Sequence, residues 1–185
     1  MGKIILITGG ARSGKSTFAE KRVKEHHGKI AYIATAIAFD EGMKSRIAEH
    51  INQRPSDWHT FEKPTNVHEI ISEVTKEHQI ILLDCMTVLL SNHLLEKADK
   101  IDDMLPNELM AMEKAIQNSV ALLINAIEAS EATFYMVTNE VGSGIVPENK
   151  LARIFRDIAG RANQHLAHHA EEVHLVVSGI PMRIK

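Results

Sequence analysis

Apolar residues gather in short, near-continuous runs, separated by longer stretches in which they recur every three or four positions. Five runs rich in Ile, Val and Leu read as strands: Lys3–Thr8, Lys29–Thr35, Gln79–Cys85, Thr133–Asn139 and Val173–Gly179. Their lack of polar alternation predicts parallel strands covered on both faces. Between them Val67, Ile70, Ile71 and Val74 fall at i, i+3, i+4 and i+7, one face of a helix. Leu151, Ile154, Phe155 and Ile158 repeat that spacing and continue toward Leu166. A longer helical stretch from Pro106 to Ala129 carries Leu109, Met112, Ile116, Val120 and Leu123. Strands alternating with helices predict right-handed βαβ units, hence an α/β fold with a mostly parallel sheet flanked by helices. No repeat, low-complexity tract or linker divides the 185 residues, so residues 1–185 are read as a single domain. The segment from His93 to Pro106 reads as a surface connection.

Composition narrows the partners. Apolar residues make up 44% and charged residues 24%, with a net charge of −3 and no basic run. That balance gives no electrostatic case for nucleic acid or an anionic membrane. Cys85 is the sole cysteine, so no intramolecular disulfide can form, which suits a reducing compartment. No apolar run approaches the ~20 residues of a membrane span. The first strand starts at once after Met1-Gly2, without a signal peptide, and a cytoplasmic protein is expected.

Gly9-Gly10-Ala11-Arg12-Ser13-Gly14-Lys15-Ser16 meets the pattern G-x-x-x-x-G-K-[ST], directly after a strand and at the start of a predicted helix, Lys15–His26. The glycines let backbone N–H groups converge on phosphate oxygens at the positive end of that helix. Lys15 then places a compact cation on the β- and γ-phosphates of ATP or GTP, and Ser16 offers a ligand to Mg²⁺. The run Ile80-Ile81-Leu82-Leu83-Asp84 is an apolar strand ending in an acid. Carboxyl ends of parallel strands line the ligand crevice, which makes Asp84 the candidate metal carboxylate. The expected core is that of a P-loop NTPase of the RecA-like type.

Glu41 to Arg54 reads as a helix with Asp40 as N-cap, stopped by Pro55. Arg46, His50 and Arg54 fall at i, i+4 and i+8 and share one face. Two guanidiniums beside an imidazole suit a polyanion, with a neutral ring nitrogen able to attack phosphorus. By spacing alone, the ordinary reading is a solvated face with an incidental histidine. His165 and His169, at i and i+4, lack the further ligands of a tetrahedral metal site. After the fourth strand run, Thr138, Asn139 and Glu140 stand where a parallel strand delivers side chains to the crevice. Gly142 and Gly144 follow, and Pro147 and Glu148 suit the first turn of the next helix. A glycine turn with strand-end caps explains that loop as well as substrate binding does.

Together these residues resemble the bifunctional adenosylcobinamide kinase / adenosylcobinamide-phosphate guanylyltransferase family. The matching runs are Ile7 to Ser16, Tyr32-Ile33-Ala34-Thr35, and Met43 to Glu62 with Arg46, His50, Arg54-Pro55, Trp58 and Thr60 in place. Leu83-Asp84-Cys85, Thr87, Ser91-Asn92 and most of Val137 to Lys185 continue it. Gly42 stands where the family often has Glu. The resemblance implies phosphorylation of adenosylcobinamide with ATP or GTP, then transfer of GMP from GTP to adenosylcobinamide phosphate, in cobalamin biosynthesis. It implies that His50 takes up GMP covalently. Its nucleotide contacts would fall on Gly9 to Ser16, Ala34, Thr35, Ala36, Ile51, Asn52, Gln53, Arg54, Glu62 and Asp84. Arg46 is a further candidate for steadying phosphate, and Asn139, Glu140, Gly142 and Gly144 are candidates for the corrinoid pocket. A homotrimer is implied as well. The competing readings are a kinase-only small-molecule P-loop enzyme and a nucleotide-dependent switch or motor. Asn139-Glu140-Val141-Gly142 does not supply the guanine box expected of a switch GTPase.

Overall fold

In chain order the elements are β1 (Lys3–Gly9), α1 (Lys15–Lys24), β2 (Ile30–Ala34), α2 (Glu41–Gln53), β3 (His59–Glu62), α3 (His68–Glu77) and β4 (Ile80–Asp84). There follow α4 (Met86–Leu95), a 3-10 turn (Ala98–Lys100), α5 (Pro106–Glu128), β5 (Thr133–Val137), α6 (Lys150–His169), β6 (Glu172–Val177) and β7 (Ile180–Arg183). The computed structural model describes residues 1–38 and 40–185, except the side chains of Arg46, Glu49, His50, Asn52 and Gln53.

The strands form one seven-stranded sheet in the order β3-β2-β4-β5-β1-β6-β7. All pairs are parallel except β6 with β7. As expected from the near-continuous apolar runs, the inner strands are buried on both faces. One face packs Ile5, Ile7, Tyr32, Leu82, Tyr135 and Val137 under α1 through Ala19 and Val23. The other holds the larger core, where Leu6, Ile33, Ile81, Leu83 and Phe134 meet α3, α4, α5 and α6.

The register is what builds the site. Glu62 pairs with Ala34, Ala34 with Asp84, Asp84 with Val137, and Val137 with Ile7. These five residues form one rung across the carboxyl ends of β3, β2, β4, β5 and β1. Residues paired in register point to the same face of a sheet, so the rung presents its side chains together. β5 lies between the strand that feeds the phosphate loop and the strand that ends in Asp84.

Two strands escape the apolar-run criterion. β3 reads His-Thr-Phe-Glu, mostly exposed at one sheet edge, so it needs no continuous apolar run. β7 is exposed throughout and contains Pro181, which an edge strand tolerates because its N–H is not needed for the ladder. It returns on β6 through Ser178 and Gly179, both with positive φ.

Other boundaries also differ from the sequence reading. The supposed connection from His93 includes the end of α4 and the 3-10 turn, and it buries Ile101. α6 starts at Lys150 rather than at Pro147, because the Asn149 side chain accepts from Ala152 N at 2.9 Å and caps the helix there. α2 begins as expected, with the Asp40 carboxylate accepting from Met43 N at 2.7 Å. It ends one residue early. Arg54 is extended, at φ −75° and ψ 142°, since a residue before proline is disfavoured from the helical region. Arg54 therefore leaves the helical face on which spacing had put it.

Leu82 is completely buried on the α1 side of β4. Leu82→Ala is expected to lower unfolding free energy by about 2–5 kcal/mol, read from the urea midpoint with an unchanged slope.

Candidate active site

The phosphate loop is held open by its backbone. Gly14 caps α1 in the left-handed region, at φ 93°, and a Cβ there would sit 3.2 Å from Gly179 Cα. At Gly9, with φ 153°, a Cβ would collide with the Val176 carbonyl. Neither position accepts a side chain without displacing the β6–β7 hairpin. That hairpin is tied in turn to the loop by Gly179 N donating to Ser13 O at 2.8 Å. Among the described residues no side chain caps the start of α1, so its first-turn amides face outward unspent. Ser13 Oγ is buried without a hydrogen-bond partner among the described residues. Lys15 Nζ donates to Gly10 O at 2.7 Å, folding the side chain over its own loop.

Below the loop lies a cavity of about 640 Å³. Lys15, Ser16 and Asp84 supply its polar floor, with Arg54, Glu62, Tyr32 and Asn139 on its walls. Four rung residues, Glu62, Ala34, Asp84 and Val137, line it. Its apolar roof is the stripe Met43, Ile47 and Ile51 of α2, spaced four residues apart so that all three face the sheet. A chamber with apolar walls and a few convergent charges is the usual form of a small-ligand site.

Burial holds the Lys15 ammonium below the ordinary 10.5, against the raising influence of Cys85 and Asp84. Burial, reinforced by the Asp84 charge, pushes the Cys85 thiol up to about 12, so it stays protonated and unreactive. Burial first, and the Asp84 charge second, push the Tyr32 phenol well above its usual range. Its hydroxyl remains a donor and meets Asp84 Oδ2 at 3.2 Å.

The sequence-predicted residues do not all reach the cavity. Lys15, Ser16, Ala34, Ala36, Ile51, Arg54, Glu62, Asp84 and Asn139 all line the cavity. Thr35 does not. It is fully buried, its hydroxyl donating to Cys85 O and accepting from Cys85 N, both at 2.9 Å. It thereby ties β2 to the turn after β4. Arg46, His50, Asn52 and Gln53 sit on the helix that roofs the chamber, and their side chains lie outside the described residues. Glu140 adjoins the phosphate loop rather than the cavity: its N donates to Gly9 O at 3.0 Å and its carboxylate accepts from Thr8 Oγ1 at 3.0 Å. Gly142 and Gly144 lie on the exposed loop beyond it.

One residue without an assigned role organises this edge. Asn163 of α6 accepts from Thr138 Oγ1 at 2.7 Å and donates to Asn139 O at 3.0 Å and Glu140 Oε1 at 3.4 Å. Thr87 adds a bond from Asn139 N at 2.7 Å. The available signal was a polar residue inside the apolar stripe Ala159, Ala162 and Leu166. Asn163→Ala strands these partners. It is expected to cost about 1–3 kcal/mol in urea unfolding, and Asn163→Asp more, since it sets a second carboxylate against Glu140.

A Gly-rich loop between strand and helix, a cation on that loop, and a strand-end carboxylate in the same chamber define a P-loop nucleotide-binding enzyme. The chain belongs to the cobinamide kinase / cobinamide phosphate guanyltransferase family, whose pattern matches residues 5–184. It is 45% identical over 184 residues to the bifunctional adenosylcobalamin biosynthesis protein CobU of Escherichia coli, covering 98% of this chain and 99% of that protein. The CobU protein of Salmonella typhimurium matches to the same extent. The bifunctional adenosylcobalamin biosynthesis protein CobP of Pseudomonas aeruginosa is 38% identical over 180 residues, covering 97% of this chain and 96% of its own.

Proposed function

We propose that this chain performs both reactions for which its family is named, on adenosylcobinamide and with ATP or GTP as donors. The observation that carries the proposal is the chamber itself, in which Lys15, Ser16 and Asp84 face the roof helix that bears His50. In the kinase reaction the aminopropanol hydroxyl oxygen of adenosylcobinamide bonds to the γ-phosphorus, and the β–γ bridge breaks to release nucleoside diphosphate. In the transfer, a neutral His50 ring nitrogen bonds to the α-phosphorus of GTP and pyrophosphate leaves. An oxygen of cobinamide phosphate then attacks the same phosphorus, the N–P bond breaks, and the imidazole is returned free.

Leaving-group charge develops on the β-phosphate in the kinase reaction and on the β- and γ-phosphates in the transfer. Lys15 and the first-turn amides of α1 are the groups that would stabilise it, and they are fixed before substrate arrives. The Asp84 charge in the same chamber opposes the lowering of the Lys15 ammonium by burial and so favours its cationic form. Arg54 would steady the α-phosphate, and Arg46 is a further candidate for the same task.

Ser16 and Asp84 offer hard oxygen donors and suit Mg²⁺. Among the described residues there is no group of three or more His, Cys, Asp or Glu side chains able to cage an ion. Phosphate oxygens and water would therefore complete the coordination, as is usual for this ion. When bound, Mg²⁺ supplies neutralisation of phosphate charge. The corrinoid is assigned to the edge bounded by Asn139, Glu140 and the Gly142–Gly144 loop, which the exposed Ile145 and Val146 continue with apolar surface. By family resemblance the working assembly is a homotrimer.

Incubation with α-labelled GTP is expected to leave an alkali-stable, acid-labile label on the protein. His50→Ala should abolish the label and reduce GMP transfer by about a thousandfold or more, while phosphorylation of adenosylcobinamide persists. An unlabelled wild-type protein, or equal labelling of the variant, would leave only the kinase reading.

A further inference from the structure

Tyr32 lies on β2 two residues before Ala34, so its side chain points to the same face as the rung. It is 2% exposed, in a position where an aliphatic side chain would fill the strand equally well. Two contacts distinguish it from such a filler. Its hydroxyl donates to Asp84 Oδ2 at 3.2 Å, and the Arg54 guanidinium carbon stands 3.4 Å from its ring centroid. A single rigid side chain therefore touches the metal-suited carboxylate with its edge and a wall cation with its face.

Among the described residues, the Tyr32 ring is the side chain that holds the Arg54 guanidinium at closest range. Arg54 follows the last residue of α2, its N–H donates to the Ile51 carbonyl at 3.3 Å, and Pro55 keeps it extended. Its Nε is buried and meets no acceptor among the described residues. Stacking occupies the face of the guanidinium and leaves its in-plane N–H groups available to an anion in the cavity that Arg54 lines. A charge-bearing donor set held in plane by a stacked ring is suited to phosphate oxygens.

We infer that Tyr32 is a positioning residue of the nucleotide site, orienting Asp84 through its hydroxyl and Arg54 through its ring. The inference rests on the nucleotide reading proposed above. It gives the two ends of Tyr32 separable tasks, one felt only with the divalent ion and the other felt without it.

The test is GTP binding by calorimetry, with and without Mg²⁺, on folded protein verified by its thermal melt. Tyr32→Phe keeps the ring and removes the donor. It should leave Mg²⁺-free affinity within about twofold, while the tightening of GTP binding by Mg²⁺ falls by about three- to tenfold. Tyr32→Leu should in addition weaken Mg²⁺-free binding by about tenfold through loss of the stack. That added loss should vanish in an Arg54→Ala background, as expected of two residues acting through one contact. Should leucine disturb the strand, the phenylalanine variant still decides the hydroxyl half. Wild-type binding by both variants under both conditions overturns the inference, as does a leucine loss of equal size with and without Arg54. Failure of the wild-type protein to bind GTP would instead remove the proposed function, and the inference with it.

Discussion

The chamber depends on one constraint above all, the parallel register of β3, β2, β4, β5 and β1. Parallel strands deliver their carboxyl ends to the same edge, and in-register residues share a face. Glu62, Ala34, Asp84, Val137 and Ile7 thus become neighbours although they come from five separate stretches of chain. The cores on both faces hold that register. A slip of one residue would turn the side chains of a slipped strand to the opposite face.

Around this edge the phosphate loop is braced from two sides. The β6–β7 hairpin bonds to Ser13 and crowds Gly9 and Gly14, leaving room for backbone only. On the other side, Glu140 bonds to Gly9 and Thr8, and is itself held by Asn163 from α6. Both braces belong to the last third of the chain. The loop near residue 10 is therefore shaped by partners more than a hundred residues away, and an isolated N-terminal βαβ unit would lack them.

Much of this was legible in the sequence because it is contiguous there. The phosphate loop carries its strand, its turn and its helix in one stretch, and Asp84 ends an apolar run that only a buried strand explains. β3 and β7 were not legible, since exposed edge strands leave no continuous apolar run. The misplacement of Arg54 has a local cause: helical spacing was extended through a residue that Pro55 forces out of the helix. Tyr32 and Asn163 stayed hidden for a different reason. Each acts on groups distant in the chain, Tyr32 on Asp84 and Arg54, Asn163 on Thr138 to Glu140, and only the register and the packing of α6 bring them within reach. Tyr32 and Asn163 lie inside the matching family runs, yet sequence similarity alone gave neither a physical task.

The rung has a consequence for how the molecule fails. A nucleotide site made from loops can fray piece by piece, and a frayed phosphate loop that still holds GTP wastes it by hydrolysis. Here one row of the chamber's lining, Ala34, Asp84 and Val137, belongs to the inner strands, which open only when the sheet itself opens. Heat that opens the sheet thus removes that whole row in a single step, rather than leaving a partly built chamber behind.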